Sequence, residues 1–367
     1  MSHLVINATE LGRQRGGNES FIAGLIEGLA QLKPALRLTL LRCDWGRPVS
    51  VPPIFEQVNL GPYRQLPFLL WQQTLALRRL QADWYLANFF LPPLLPCQGA
   101  VVVHDLSFRA HPDYFPPFVS LYMKWLTGAG IRQARQVLTV SDFSRQELLR
   151  FYPTAPQKVT VIANGVGCQF QPQPSASQPQ TEAAILAKYE VTQPYIFAVG
   201  NMHPRKNLAR LLAAYRRLQA ERAALPKMVW GGLPRWESDS LVAQAQAAGV
   251  VLPGFIEQAD LPTFYRQAEM LVYPSLYEGF GLPPVEAMAC GTPVIASNTT
   301  SLPEVVGNAA LTVDPTQTSE IASAIARLLD DHALSQRLRQ AGLDRSQQFT
   351  WSRTAQRLLA ALGLDSK

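Results

Sequence analysis

Two glutamates stand eight residues apart in the segment of the chain that is richest in reactive side chains, residues 273–291. A strand is predicted to end near Tyr273, and a helix to begin at Pro283, whose missing N–H needs no partner in a first turn. Glu278 then lies on the loop and Glu286 in the first turn, where both can accept hydrogen bonds from sugar or ribose hydroxyls. The spacing also fits a Glu286 that only complements the helix dipole and glycines that only form a tight turn.

A basic pair follows the strand predicted at residues 195–199. The sequence there is VGNMHPRKNL, with Arg205 and Lys206 just before a helix for which Asn207 is a suitable N-cap. Adjacent cations beside the free N–H groups of a helix N-terminus form a site for an anion, particularly a diphosphate. The alternative is an ordinary solvated basic turn.

A glycine loop, RQRGGNESFIAG at residues 13–24, follows the first predicted strand. Gly16 and Gly17 precede a helix whose cap would be Asn18 or Ser20, and such a loop can cradle a phosphate or admit a sugar closely. It is neither a GxGxxG fingerprint nor a GxxxxGK[ST] loop, so a dinucleotide site is not predicted. An ordinary flexible loop has the same pattern.

A histidine ends the apolar run VVVHDL at residues 101–106. His104, followed by Asp105, could hydrogen-bond a ligand hydroxyl or titrate, or it could be purely structural. No GxSxG sequence is present, so no Ser-His-Asp nucleophile is predicted. No DxD-type carboxylate pair occurs either, so the sequence implies no metal ion and no cofactor.

Length and composition limit the class of protein. A chain of 367 residues, 47% of them hydrophobic, is long enough for two domains and too apolar for disorder. The four cysteines are far apart and form no CxxC pair, which argues against a zinc module or a disulfide scaffold and fits a reducing compartment. No signal peptide and no run of about 18 apolar residues is evident. The net charge of +6 fits nucleic acid, an anionic substrate or an anionic membrane surface.

The elements that must position these residues alternate between strand and helix. Six strands are predicted in each half, near residues 4–7, 38–43, 84–87, 100–104, 137–140 and 158–163, and near 195–199, 228–230, 249–252, 270–273, 293–297 and 310–313. Such alternation favours parallel sheets covered by helices. The stretch QPQPSASQPQT at 171–181 has no apolar period and is the predicted linker. Two α/β domains so joined usually leave a cleft, and ligands bind beyond the carboxyl ends of the strands.

Three apolar, aromatic segments occur in the first half, at residues 67–80, 85–96 and 115–126. The same half carries seven arginines, namely Arg64, Arg78, Arg79, Arg132, Arg135, Arg145 and Arg150. This mixture suits an interfacial membrane contact or an acceptor with a lipid tail. Core helices with ordinary surface arginines are the alternative.

Taken together, these motifs resemble the family 4 retaining glycosyltransferases, which have the GT-B fold, and more closely their bacterial mannosyltransferase-like members. The residues from Glu278 to Glu286 match the family's E-x7-E motif, and PRKN at 204–207 matches its phosphate-binding turn. GTPVIASNTTSLPEVVGNAAL at 291–311 matches the strand and loop that follow. In the first half, the glycine loop, the His104–Asp105 pair, VSDFS at 140–144 and ANGV at 163–166 are also similar. Several motifs in the family's order outweigh the structural alternatives given for each one alone.

The resemblance implies two Rossmann-like α/β domains facing across a cleft. Residues 1–175 would bind the acceptor, residues 182–348 would bind the nucleotide sugar, and a C-terminal helix in 349–367 would cross back to the first domain. It also implies the site residues: Arg205 and Lys206 on the diphosphate, Glu286 on the ribose, and Glu278 with the backbone N–H groups of Gly279, Phe280, Gly281 and Leu282 on the hexose. Gly16 and Gly17 would approach the diphosphate from the other domain, and His104 would contact the hexose.

The implied reaction is metal-independent transfer of a hexose to a hydroxyl of a saccharide or a lipid-linked acceptor, with retention. The expected donor is GDP-mannose, with UDP-glucose or another UDP-hexose as the alternative, and nucleic acid is not an expected partner. A GT-B-fold epimerase would need extra catalytic carboxylates. A non-catalytic sugar-nucleotide-binding protein would not need the intact set of Arg205, Lys206, Glu278 and Glu286. The expected location is the cytoplasm, with peripheral contact at the inner face of the membrane.

Overall fold

The computed structural model describes residues 1–13, 16–45, 49–174, 181–234 and 239–365. The chain forms two compact units, Met1–Gly165 with Thr350–Lys367 and Val166–Phe349. The first unit therefore contains both ends of the chain. The change from the first unit to the second precedes the predicted linker at 171–181, of which residues 175–180 lie outside the described residues.

The first unit contains, in its described part, a seven-stranded parallel sheet. Its strands are β1 (His3–Asn7), β2 (Arg37–Asp44), β3 (Phe55–Pro62), β4 (Trp84–Asn88), β5 (Gln98–Val103), β6 (Gln136–Thr139) and β7 (Val159–Val161). They lie in the order β3-β2-β1-β4-β5-β6-β7, so the order reverses between β1 and β4. β1 is buried along its whole length, as expected of a parallel strand covered on both faces.

The first unit's sheet is connected by helices and short turns. The helices before the second unit are α1 (Gly17–Leu32), α2 (Gln65–Pro67), α3 (Gln73–Leu80), α4 (Ser107–Ala110), α5 (Pro117–Gln133) and α6 (Asp142–Phe151). A π-helical turn at Phe68–Gln72 joins α2 to α3. The helical segment from residue 65 to residue 80 is therefore continuous but locally widened.

The sequence pattern missed β3. This strand pairs with β2 at the edge of the sheet, and most of its residues are exposed or half-buried. Polar side chains of β3 bind the neighbouring strand: Glu56 forms a bidentate ion pair with Arg37 of β2. An edge strand needs no apolar alternation, so hydrophobic periodicity carries little signal for it.

The second unit contains a six-stranded parallel sheet among its described residues. Its strands are β8 (Tyr195–Val199), β9 (Lys227–Gly231), β10 (Val251–Gly254), β11 (Met270–Tyr273), β12 (Val294–Ser297) and β13 (Leu311–Val313), in the order β10-β9-β8-β11-β12-β13. Its helices are α7 (Glu182–Lys188), α8 (Leu208–Glu221), α9 (Asp239–Ala247), α10 (Leu261–Arg266), α11 (Leu282–Ala289), α12 (Leu302–Val306), α13 (Thr318–Asp330) and α14 (His332–Ser346). Each predicted strand of this half overlaps an observed one, and the order reverses between β8 and β11.

The last helix, α15 (Trp351–Leu362), belongs to the first unit and packs against α1. Glycines make this close contact. A Cβ on Gly24 would lie 1.9 Å from Cε2 of Trp351, and a Cβ on Gly28 would lie 2.1 Å from the Trp351 carbonyl oxygen. Thr350 caps the helix by accepting a hydrogen bond from the N–H of Arg353 at 3.3 Å.

Candidate active site

The candidate active site of the second unit lies where its strand order reverses, between β8 and β11. These strands run parallel, with Ile196 beside Met270, so their carboxyl ends open on the same edge of the sheet. In open α/β sheets such a reversal leaves a crevice in which ligands bind. Arg205 and Lys206 follow β8 and Glu278 follows β11, so the basic pair and the carboxylate flank this crevice.

The turn Pro204–Lys206 is held in place by the loop after β11. The carbonyl of Arg205 accepts a hydrogen bond of 2.7 Å from the N–H of Leu276. Asn207 has a left-handed backbone, and its Nδ2 donates to two carbonyls, one of them that of Pro274 at 3.0 Å. Asn207 therefore stands at the N-cap of α8 as predicted, but its side chain accepts no hydrogen bond from the helix N–H groups, and its amide anchors the turn to neighbouring loops.

Glu278 lies between the two cations. Its Oε2 is 2.7 Å from Nη1 of Arg205, and its Oε1 is 2.6 Å from Nζ of Lys206. The hydroxyl of Tyr273 donates to Oε1 at 2.9 Å and accepts a hydrogen bond from Lys206, whose Nζ also lies 4.5 Å from the centre of the ring. These four side chains form one connected cluster, called here the Glu278 cluster.

The loop that carries Glu278 is fixed by residues after β12. The N–H of Glu278 donates to Oγ1 of Thr300 at 3.2 Å. The hydroxyl of Ser301, which is fully buried, donates to the carbonyls of Glu278 and Phe280 at 2.9 and 3.0 Å. The segment at 291–311 thus positions the carboxylate through backbone contacts.

The cations of the Glu278 cluster keep its carboxylate ionised. Burial by itself raises the pKa of Glu278, but the charges of Arg205 and Lys206, with hydrogen bonds to the carboxylate, outweigh it and bring the pKa to about 2. Lys206 is mostly buried and Arg205 is about one quarter exposed. Two cations share one carboxylate, so the cluster carries a net positive charge that can attract a further anion.

Glu286 has a different environment from Glu278. Helix α11 begins at Leu282, so Glu286 stands just beyond the first turn and not within it as predicted. Its carboxyl accepts a hydrogen bond of 2.7 Å from the buried Tyr265. Burial raises the pKa of Glu286 to about 7, although the Tyr265 hydrogen bond lowers it. Near neutral pH this carboxyl exchanges between its neutral and charged forms.

The loop between Glu278 and Glu286 is tightly packed at the start of α11. Gly281 has φ of 102°, and a Cβ there would lie 2.5 Å from Cδ2 of Leu302, so only glycine fits. Phe280 is buried and packs edge-on against Phe349 with ring centres 5.5 Å apart. The ring of Phe280 is therefore part of the core. The groups that Gly279, Phe280 and Leu282 can offer a ligand are their backbone N–H groups, and Leu282 can add an apolar side-chain contact.

The glycine loop of the first unit begins α1. The helix starts at Gly17, and Gly16 precedes it with φ of 101° and no side-chain cap, so the predicted caps Asn18 and Ser20 are wrong. No heavy atom of the described residues lies within 4 Å of a Cβ built on Gly16 or Gly17. Residues 14–15 of this loop lie outside the described residues.

His104 follows β5 in the first unit and is half-buried. Its Nε2 lies 3.2 Å from Oδ1 of Asn88, and its ring packs edge-on against Phe21 at 4.6 Å. Burial lowers the pKa of His104 to about 4, against the raising effect of Asp105. The imidazole is therefore neutral near pH 7, so it can hydrogen-bond a hydroxyl but does not supply positive charge.

The structure joins three predicted site residues, Arg205, Lys206 and Glu278, through direct ion pairs. Glu286 binds Tyr265 instead, and Gly16, Gly17 and His104 belong to the other unit. Tyr273 and Tyr265 were not predicted as site residues. Tyr273 was detectable, because a polar atom at the carboxyl end of an apolar strand lies at the edge where ligands bind.

Within the described ranges, 1–13, 16–45, 49–174, 181–234 and 239–365, no three His, Cys, Asp or Glu side chains lie close enough to hold a metal ion. No helix in this part of the chain has the length and hydrophobicity needed to cross a membrane.

Comparisons with known proteins match both units. The family model "Glycosyl transferases group 1" matches residues 182–345, and the model "Glycosyltransferase Family 4" matches residues 15–170. The chain is 36% identical over 269 residues to O-antigen chain mannosyltransferase B of Escherichia coli, which covers 72% of this chain and 69% of that protein. It is 26% identical over 340 residues to O-antigen chain mannosyltransferase RfbU of Salmonella typhimurium, covering 89% and 90% of the two chains.

Solved structures match the fold over the whole chain. Sucrose-phosphate synthase from Thermosynechococcus elongatus superposes with a TM-score of 0.78 and covers 100% of both chains at 21% identity. At this identity the similarity shows the fold, which is an α/β fold with two parallel sheets, as the sequence predicted.

Proposed function

We propose that this chain, a member of the group 1 and family 4 glycosyltransferases, moves a hexose from a nucleotide-diphosphate sugar to an acceptor hydroxyl. The anomeric configuration of the hexose is retained in the proposed reaction. The chain is a glycosyltransferase by its family domains and its mannosyltransferase relatives. The proposal adds to this the transfer of a hexose, its stereochemistry, the donor and the acceptor. The proposed acceptor is a saccharide or a lipid-linked acceptor.

The observation that carries the proposal is the Glu278 cluster at the strand reversal between β8 and β11. A glycosyl transfer from such a donor needs most support where negative charge develops, on the departing diphosphate. Arg205 and Lys206 each lie within about 3 Å of a carboxylate oxygen of Glu278, so the two cations are held together at the place proposed for the diphosphate.

Donor binding exchanges partners within this cluster. The diphosphate brings more negative charge than the single carboxylate of Glu278, so Arg205 and Lys206 turn toward the phosphate oxygens. The carboxylate of Glu278 is then available to accept hydrogen bonds from hexose hydroxyls. Glu286, with its partner Tyr265, takes the ribose hydroxyls.

The chemical step proceeds on one face of the hexose. The bond from C1 to the phosphate oxygen breaks, the acceptor oxygen bonds to C1 on the same face, and its proton passes to the departing phosphate oxygen. His104, which is neutral, forms a hydrogen bond with the hexose. The positive charge of the site comes from Arg205 and Lys206. The cations supply the electrostatic support, so the proposed reaction is independent of a metal ion and of any other cofactor.

GDP-mannose is the proposed donor. The support is the run of mannosyltransferases among the relatives, including one at 36% identity. UDP-glucose or another UDP-hexose is the alternative, because no residue of the Glu278 cluster distinguishes guanine from uracil.

A thermal-shift panel tests the donor and the reaction class together. GDP-mannose, UDP-glucose, UDP-GlcNAc, GDP and UDP are each added to the wild type and to Lys206→Ala. We expect GDP-mannose and GDP to raise the melting temperature of the wild type and the variant to respond more weakly. Stabilisation by UDP compounds alone would indicate a UDP-hexose as the donor in place of GDP-mannose. No response to any nucleotide would contradict the proposed function.

Peripheral contact with the inner face of the membrane is also proposed, and the support is in the first unit. Eight of the large apolar side chains that are exposed there lie between residues 66 and 125, namely Leu66, Leu70, Trp71, Leu75, Leu94, Phe118, Leu121 and Trp125. Residues 63–80 and 117–133, which carry seven of the eight, contain five arginines and lysines and no Asp or Glu. Phe68 and Met123 line the same cavity, so the two helical segments are neighbours. Exposed tryptophans beside cations suit an anionic lipid surface.

The third apolar segment of the sequence, residues 85–96, differs from the other two. Tyr85, Leu86 and Ala87 of β4 are buried, and Leu94 is the large apolar residue of this segment that is widely exposed. Of the seven arginines named from the sequence, Arg145 and Arg150 lie on α6, away in sequence from the apolar helices. The proposed contact therefore depends on α2, α3, α5 and the π-helical turn.

A further inference from the structure

Three hydroxyls from the end of β12 and the turn after it hold the loop that carries Glu278. Ser297, the last residue of β12, donates to the carbonyl of Ser275 at 2.6 Å. Ser301 donates to two carbonyls of the loop, one of them that of Glu278 at 2.9 Å. Thr300 acts in the opposite sense, because its Oγ1 accepts the N–H of Glu278 at 3.2 Å. Thr300 and Ser301 together therefore hold both backbone polar groups of Glu278.

Thr300 makes this contact from a backbone conformation that threonine disfavours. Its φ is 59°, in the left-handed region, where a side chain branched at Cβ is an outlier. Of the six residues other than glycine with a positive φ in the described part of the chain, Thr300 is the β-branched one. Lys33, Gln81 and Glu190 follow helices, where a left-handed residue is ordinary. Thr300 lies between β12 and α12 and ends no helix.

The hydroxyl of Thr300 explains why this conformation is kept. A glycine at position 300 would adopt the same φ without strain but would supply no acceptor for the N–H of Glu278. Strained residues persist where the surrounding structure enforces them, and they concentrate at functional sites. We infer that Thr300 is a positioning residue, whose strained backbone places its hydroxyl where it fixes Glu278 for the hexose of the donor. This inference rests on the proposed function and adds to it a residue on which recognition of the hexose depends.

The proposed role affects one part of the donor more than the other. Under the proposed function, Arg205 and Lys206 bind the diphosphate and Glu278 binds the hexose. A loop that no longer holds Glu278 in place should therefore weaken the binding of a sugar nucleotide more than that of the free nucleoside diphosphate. A residue that only stabilises the second unit would change both affinities together.

Isothermal titration calorimetry of the full chain measures this difference. The dissociation constants of GDP-mannose and GDP, and in parallel of UDP-glucose and UDP, are compared for the wild type and three variants of Thr300. We expect the ratio of the Kd of the nucleoside diphosphate to that of its sugar nucleotide to fall about 2- to 10-fold in Thr300→Gly and Thr300→Ala, the scale of one hydrogen bond. Thr300→Ser keeps the hydroxyl and should keep the wild-type ratio. A wild-type ratio in the glycine and alanine variants, or an equal fall in all three, would overturn the inference.

Thermal melting of the same variants tests the strain. Thr300→Gly and Thr300→Ala both lack the hydroxyl, so a difference in their stability reports the backbone conformation. We expect the glycine variant to melt about 2–4 °C higher than the alanine variant, while its sugar nucleotide affinity recovers no further. A melting temperature of Thr300→Gly at or below that of Thr300→Ala would contradict the strain.

The matched control is Glu190→Gly. It relieves a φ of 57° at an exposed position of the same unit, before the amino end of β8 and so away from the edge that carries Glu278. This variant should keep the wild-type ratio of dissociation constants. A fall in the control equal to that in Thr300→Gly would show that the ratio follows the relief of strain and not the Thr300 hydroxyl, which would overturn the inference.

Nucleotide binding by the wild type separates this inference from the proposed function. If the wild type binds none of the four nucleotides, the proposed function fails and the inference fails with it. If the wild type binds a sugar nucleotide and the glycine and alanine variants keep its ratio, the role of Thr300 fails and the proposed function stands.

Discussion

The Nζ of Lys206 lies 2.6 Å from the carboxylate of Glu278, although the two residues are 72 positions apart in the chain. The parallel pairing of β8 with β11 brings them together at one edge of the sheet. Under the proposed function, the lysine that holds this carboxylate also meets the diphosphate of the donor.

Lys206→Ala should reduce turnover by about 100-fold or more, because it removes one of two cations that would stabilise the leaving diphosphate. The measurement is kcat with GDP-mannose and an oligosaccharide acceptor. Lys227→Ala, at the exposed start of β9, is the matched control and should keep wild-type turnover. Full turnover in Lys206→Ala would remove the role assigned to this lysine.

Tyr273→Phe should reduce kcat by about 2- to 10-fold and leave the KM for the donor nearly unchanged. The hydroxyl that orders Lys206 and Glu278 is lost, a change on the scale of one hydrogen bond, while the ring stays beneath the ammonium. Tyr215→Phe, which loses a hydroxyl bonded to the Pro226 carbonyl, is the control. An equal effect in both variants would mean that Tyr273 contributes only to stability.

Glu286 should make the protein less stable as the pH rises. Burial raises its pKa from 4.5 to about 7 in the folded state, so the folded form binds the proton more tightly than the unfolded form. The stabilisation is fully present below about pH 4.5 and is lost as the pH rises through about 7, with a size on the order of 3 kcal/mol.

Urea unfolding of the wild type and of Glu286→Gln between pH 4 and pH 8 measures this effect. The neutral amide does not titrate, so the variant should lack the fall in unfolding free energy over this range. Parallel pH profiles for the two proteins would show that Glu286 keeps an ordinary pKa.

Gly24→Ala should lower the free energy of unfolding by about 1–3 kcal/mol or more, because the new methyl group would overlap the Trp351 ring between α1 and α15. Gly17→Ala is the stability control, since no heavy atom of the described residues lies within 4 Å of its Cβ. Thermal melting of the two variants measures the difference. Equal melting temperatures would contradict the close packing of α15 on α1.

The wild type should cosediment with vesicles that contain anionic lipid at low salt, and high salt should weaken the binding. The double variant Trp71→Glu, Trp125→Glu should lose most of the binding, because both exposed rings become anionic. Phe255→Glu, which changes an exposed ring of the second unit, is the control. Absence of cosedimentation by the wild type at low salt would end the proposal of membrane contact.

The elements of the core could be predicted from the sequence, but parts of the edges and caps could not. Strands such as β11 are short apolar runs, and the run of apolar residues itself locates them in the sequence. β3 was missed because an edge strand can be polar. Asn207 stands at the predicted N-cap of α8, but its side chain does not cap the helix, because its amide binds carbonyls in loops that are distant in sequence.

The sequence by itself determined the two α/β units, the family and the identity of the charged residues, because these depend on local periodicity and on short motifs. Only the tertiary structure decided that Glu278 pairs with both cations while Glu286 pairs with Tyr265. The two carboxyls have the same chemistry and lie eight residues apart, yet one has a pKa of about 2 and the other of about 7. That difference arises from charges and burial contributed by distant segments, which no local pattern records.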